Sequence, residues 1–158
     1  TTPQLQALKA LAQADPVAAG YIASGDDAAL AAWFNTAGTY IVWRTSVKRD
    51  ELQADGFDWA QVDNLTTGQA RIWDWLFDTT NSLNPSSLGV HNGIRECWKG
   101  TAAKVAVATF VLGLCKRTAT RAESALAAGA GTTASPGLLS PTATGTMSYA
   151  EASQVRVA

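Results

Sequence analysis

Apolar residues fall into helical stripes along much of the chain. Leu5, Leu8 and Leu11 recur behind Thr2 and Pro3, a cap and a first-turn proline, and predict a helix that Asp15-Pro16 stops near Ala14. Ser24 with Asp27 forms a capping-box variant ahead of Ala28, Leu30, Ala31, Trp33 and Phe34, which predict a second helix ending before Gly38. Residues 39–47, TYIVWRTSV, read as a strand because β-branched and aromatic residues dominate them. No second segment offers a partner, so an extended crossing is the other reading. Ser46 suits a cap for a helix over 48–52, and Asp58 a cap for one turn at 59–62.

Thr66 and Gln69 make the clearest capping box, with Ile72, Trp73, Leu76 and Phe77 forming a stripe on a helix expected to reach about Thr79. Asn84-Pro85 starts a further helix through Ile94, Cys97 and Trp98, weakened by Gly89 and Gly93 and interrupted at Gly100. The longest helical pattern spans 101–128, where Ala108, Val111, Cys115, Ala119, Ala122 and Leu126 keep three- and four-residue spacings. Gly113 within it invites close approach by another helix or is a tolerated local defect. Residues 129–146, GAGTTASPGLLSPTATGT, lose both periodicity and charge and read as an extended arm with Leu138, Leu139 and Met147 as separate anchors on a neighbour. Ser148 and Glu151 cap a last short helix. The expected fold is mostly α: a multi-helix body over 1–128 with one long helix in its second half, then an arm with a short terminal helix over 129–158.

With 158 residues, 47% hydrophobic and 16% charged, the chain suffices for one core and not for two sizeable domains. A net charge of −1 argues against exposed nucleic acid as the main partner. Split after Val90, the halves carry −5 and +4, which either meet within one molecule or join copies head to tail. Two cysteines without CxxC spacing do not make a disulfide scaffold. Neither a secretory signal nor a bilayer-spanning run is visible, so assembly in a reducing cytoplasm is expected.

Catalytic chemistry has little to draw on. His91 is the only histidine, with Ser87 at i−4, Glu96 at i+5 and Cys97 at i+6, so no helical face collects a triad. One histidine with Cys97 and Cys115 lacks zinc spacing, and Asp50, Glu51, Asp55, Asp58 and Asp63 are dense without EF-hand order. No phosphate-cradling glycine motif occurs. No catalytic, cofactor-binding or metal-binding residue is therefore expected. Arg95, Lys99, Lys104, Lys116, Arg117 and Arg121 concentrate in the second half. Arg117 and Arg121 share a predicted helix face beside Lys116, suited to an acidic neighbour, to helix support or to DNA phosphates. Arg44, Lys48 and Arg49 adjoin Asp50 and Glu51, which reduce their pull on phosphate. Six tryptophans exceed what a minimal core requires. The expected core holds Trp43, Trp59, Ile72, Trp73, Leu76, Phe77, Trp98, Val111 and Cys115. Trp73 and Trp75 cannot point the same way from one helix, which assigns Trp75 to a partner surface. Lys116, Arg117, Arg121, Leu138, Leu139 and Met147 complete the expected interface.

The segments VWRTSVKRDE, GFDWAQVDNLTTGQARIWDWLFD, NPSSLGVHNGIRECW and CKRTATRAESALAAGAGTTASP together resemble a family of small proteins from tailed-phage structural modules, over nearly the whole chain. The resemblance implies a mostly helical virion component near the head-to-tail junction, similar in role to adaptor or head-completion proteins that form rings beneath the portal. It carries no catalytic residue onto Trp43, Trp59, Trp73, Asp63 or Arg117. The partners so implied are copies of the chain in a cyclic ring, the portal and neighbouring head or tail proteins, with nonspecific contact to passing DNA and no membrane. Capsid decoration or a minor tail role is the main alternative, followed by a DNA-binding packaging factor or a small hydrolase. The expected location is the virion, assembled in the bacterial host cytoplasm.

Overall fold

The computed structural model describes residues 2–77, 79–139, 143 and 145–158. It is mostly helical, with two helices of 13 residues, α1 (Thr2–Ala14) and α7 (Ala102–Leu114), several shorter ones and two two-stranded ladders. The chain divides into two compact units, Thr1–Val42 with Thr118–Ala158, and Trp43–Arg117. This differs from the expected body over 1–128 and arm over 129–158, because the terminal residues share a unit with the N-terminal helices. The parts of the expected arm at 140–142 and 144 lie outside the described residues.

In the first unit Asp15 does more than stop α1. Its carboxylate accepts the N–H groups of Val17 and Ala18, and Pro16 occupies the first turn of α2 (Pro16–Ser24), a helix for which the sequence shows no stripe. Gly25 closes α2 at φ 71°, and Asp26, two residues after the expected cap Ser24, caps α3 (Asp27–Asn35). Leu8, Ala12, Leu30 and Phe34 pack with Ala152 and Val155 of α9 (Tyr149–Val157), which lies against α3 and α1. Asn35 fixes the approach to α9: its side chain donates to the Met147 carbonyl at 2.9 Å and accepts from the Met147 N–H at 2.7 Å.

The predicted strand is β1 (Ala37–Trp43), and its partner β4 (Lys116–Thr120) lies inside the expected long helix. Arg44 N–H donates to the Cys115 carbonyl and Arg121 N–H to that of Thr36, so the pair runs antiparallel. The helix expected over 101–128 is thus a helix, a strand and a second helix, α8 (Arg121–Leu126). Thr120 explains the break. It forms a capping box with Glu123 and must take extended backbone angles, φ −69° and ψ 166°, which no continuous helix allows.

Past α8 the chain lies along β1. Ile41 N–H donates to the Gly131 carbonyl at 2.7 Å, Gly137 N–H to the Ile41 carbonyl at 2.8 Å, and the Tyr40 hydroxyl to the Gly129 carbonyl at 2.6 Å. Leu139 is buried with Val42, Ala119 and Ala143. Over 129–139 the expected arm is therefore part of the packing of its own unit, because glycine at 131 and 137 lets the backbone reach the Tyr40 ring.

The second unit runs through β2 (Val47–Lys48), α4 (Arg49–Leu52), a 3₁₀ turn (Trp59–Gln61), α5 (Thr67–Trp75), β3 (Ser82–Leu83), α6 (Leu88–Cys97) and α7. Its core holds Trp43, Trp73, Trp98, Val111 and Cys115, with Ile72, Leu76 and Phe77 partly buried against them. Trp59 is not in that core. It is 56% exposed and meets Phe57 edge-on, because Phe57 takes the inward place and the turn capped by Asp58 carries Trp59 outward. Helix α6 begins three residues later than Asn84-Pro85 suggests, since the Asn84 carboxamide is spent on the N–H and hydroxyl of Ser86. Gly93, which weakens the sequence pattern of α6, admits Leu76: a Cβ there would lie 2.6 Å from Leu76 Cδ2. Among the described residues nothing lies within 4 Å of a Cβ placed at Gly113, which fits the tolerated local defect and not close approach by another helix.

Candidate interaction surface

The groups with catalytic potential are occupied by packing. His91 is buried, its ring 4.0 Å from that of Trp43, and its Nε2 donates to the Pro85 carbonyl. Burial lowers its pKa below the usual 6.5, and the nearby charges of Arg95 and Lys116 act in the same direction. Below about pH 6.5 the unfolded chain therefore binds more protons than the folded one, so stability declines as the medium is acidified from pH 7 to 5. Urea midpoints over that range should fall more steeply for the wild type than for His91→Gln; equal slopes would remove His91 as the cause.

Burial also pushes the thiols of Cys97 and Cys115 up to about 12, so neither is an activated nucleophile at neutral pH. Both are free. Among the described residues, no group of three or more His, Cys, Asp or Glu could hold a metal ion. The carboxylates over 50–63 have separate tasks. Glu51 accepts the Lys48 N–H and pairs with Arg44, which together hold its carboxyl below the usual range. Asp50 accepts the Glu51 N–H, and Asp58 caps the 3₁₀ turn. Asp55 and Asp63 are exposed and, among the described residues, have no hydrogen-bond or ion-pair partner.

The expected basic face is not assembled. Lys116 and Arg117 lie on β4 and Arg121 opens α8, so the i,i+4 relation of a continuous helix is lost. Lys116 sits 5.2 Å from the Trp43 ring centroid, and the Arg121 guanidinium 4.5 Å from that of Trp33. The charge contrast between halves also dissolves. The first unit has three basic and five acidic residues, the second nine and eight, giving −2 and +1. Arg156 of the C-terminal half pairs through two hydrogen bonds with Asp27, of 2.6 and 3.1 Å, and holds that carboxyl below its usual range.

Of the remaining expected interface residues, Trp75 is 77% exposed and Leu138 47%, while Leu139 is buried and Met147 is half-buried against the first unit's core. The structure adds Arg71, whose guanidinium lies 5.2 Å from the Trp75 ring centroid, and Leu88, 69% exposed at the start of α6. Arg71 stands four residues before Trp75, a spacing that places both on one helix face and was readable from the sequence. In the first unit a cavity of about 230 Å³ opens beside α1, α8 and α9, lined by Leu5, Leu8, Leu126 and Val155. The nearby Glu151 is engaged by the Ser148 cap. No helix among the described residues is long and apolar enough to cross a membrane. Comparison of the chain with family models, curated proteins and solved structures finds no match.

Proposed function

We propose that the chain is a non-enzymatic structural subunit of a tailed-phage particle, an adaptor at the head-to-tail junction that docks neighbouring virion proteins and further copies of itself in a ring beneath the portal. The exposed Trp75 carries the reading. An indole left largely in water beside a guanidinium is the composition of an interface anchor, and the second unit has its own core without it. The internal use of His91, Cys97 and Cys115 supports a docking role over a chemical one. Leu138, exposed on a segment otherwise held to β1, is the part of the expected arm that suits contact with a neighbour. The terminal helix α9 serves the body, through Asp27 and Asn35. Contact with DNA is a weaker component, since the basic residues are dispersed and the second unit is close to neutral.

Quantitative mass spectrometry of purified particles, with a reconstruction of the vertex, tests the proposal. The expected result is a few copies per particle, located between head and tail. Copies spread over the shell would indicate decoration instead, and absence from the particle would overturn the assignment.

A further inference from the structure

We propose that the Arg71–Trp75 face of α5 receives the acidic 55–63 segment of a second copy of this chain. The inference rests on the reading of the chain as a self-associating subunit and names the contact. Trp73 and Trp75 lie two residues apart, about 200° around a helix, so burying the first in the core turns the second outward. Arg71 lies over the exposed indole and, among the described residues, has no carboxylate partner. Helices α5 and α6 run antiparallel: Gln69 near the start of α5 donates to the Lys99 carbonyl beyond α6, and Leu76 meets Gly93. The exposed Leu88 therefore belongs to the same end of the pair as Trp75. This surface is apolar and, among the described residues, carries one unpaired cation, Arg71, since Asp74 beside Trp75 is paired with Arg49.

The same unit presents the complement. Asp55 and Asp63 are unpaired carboxylates, and between them stand Trp59, 56% exposed, and Val62, 39% exposed. Trp59 is held in place by Phe57, 5.0 Å away between ring centroids, and Phe57 in turn by Trp98, so little side-chain freedom remains to be lost on docking. Among the described residues Arg71 and these two aspartates have no ion-pair partner, which leaves both patches available to a neighbour. Each patch carries an exposed indole and an exposed aliphatic side chain, their unpaired charges are opposite, and guanidinium–carboxylate hydrogen bonds would fix the register. Two different patches make a heterologous contact, the kind that closes into a ring or extends as a filament. The net charge of −1 offers little long-range repulsion against it.

Sedimentation velocity on the full chain tests this. The wild type should self-associate with rising concentration, and less so in high salt. Arg71→Glu, Trp75→Ala and the pair Asp55→Lys with Asp63→Lys should each weaken association about tenfold or more, with unchanged circular dichroism. Mixing the Arg71→Glu chain with the Asp55→Lys, Asp63→Lys chain should restore association, because each then offers the charge the other lacks. A monomeric wild type, unaffected variants or a mixture that stays dissociated would each overturn the contact. A chain found at the particle vertex yet indifferent to these substitutions would keep the proposed role and lose this contact; a chain absent from particles would lose the role.

Discussion

Replacing Trp98 by alanine should remove about 3 to 5 kcal/mol of stability, the largest single-residue effect expected in the second unit. Trp98 has no exposed surface, and its ring lies 5.5 Å from Trp73 and 5.8 Å from Phe57, both edge-on; Trp73 in turn meets Phe77. Removing it empties the centre of an aromatic cluster built by α5, α6 and the loop before the 3₁₀ turn. The neighbours cannot collapse inward without losing their own edge contacts, so a cavity remains. Trp98→Phe should cost much less, because it keeps most of the volume and discards an indole N–H that is buried without a partner among the described residues. Trp75→Ala is the contrast: an indole mostly in water should change stability by less than about 0.5 kcal/mol. Urea unfolding of the three variants, read by circular dichroism, checks the order. A Trp98→Ala midpoint close to that of Trp75→Ala would show that the core does not depend on this residue.

What was legible in the sequence follows from how local each cause is. The boxes at Thr66 with Gln69 and Ser148 with Glu151 are complete within four residues, and both helices start where the letters place them. Thr120 with Glu123 carries the same signature, yet Ala119, Ala122 and Leu126 continue the spacing of α7 and conceal it. Those three alanine and leucine positions do turn inward, but toward the core residues of the first unit, while Val111 and Cys115 belong to the second. Periodicity reports that a face is covered and is silent about what covers it. The partner of β1 was illegible for a related reason: β4 is short, contains two lysine or arginine residues and gains its ladder from residues far along the chain. The −5 and +4 of the two halves left a match within one molecule and a join between copies both open, and letters alone do not show that the chain returns to its first unit at Thr118 and mixes the two charges. Trp75 was legible from stereochemistry alone, since Trp73 and Trp75, two positions apart on a helix, cannot share a side. Trp59 was not, because Phe57 two residues earlier took the inward place.

Gly137→Ala should cost about 1 to 3 kcal/mol by overpacking, and most of that cost should vanish when Tyr40 is also replaced by alanine. A Cβ at 137 would stand 2.4 Å from Tyr40 Cε1 and 2.7 Å from its hydroxyl, while one at 131 would stand 2.1 Å from Cε2. Gly131 also has φ 67°, so substitution there mixes backbone strain with the clash; Gly137 isolates the clash. The ring cannot simply swing away, because its hydroxyl bonds to the Gly129 carbonyl and Ile41 beside it exchanges hydrogen bonds with Gly131 and Gly137. Gly137→Ala should therefore loosen the whole 129–139 segment, and hydrogen exchange at the Ile41 and Gly137 amides should accelerate together. If the substitution costs the same with and without the Tyr40 ring, the segment is not held by this contact. The result bears directly on assembly. A segment fastened to β1 in the isolated chain reaches a neighbour only after breaking these bonds, so a particle in which 129–139 spans two subunits requires that release as a step of assembly.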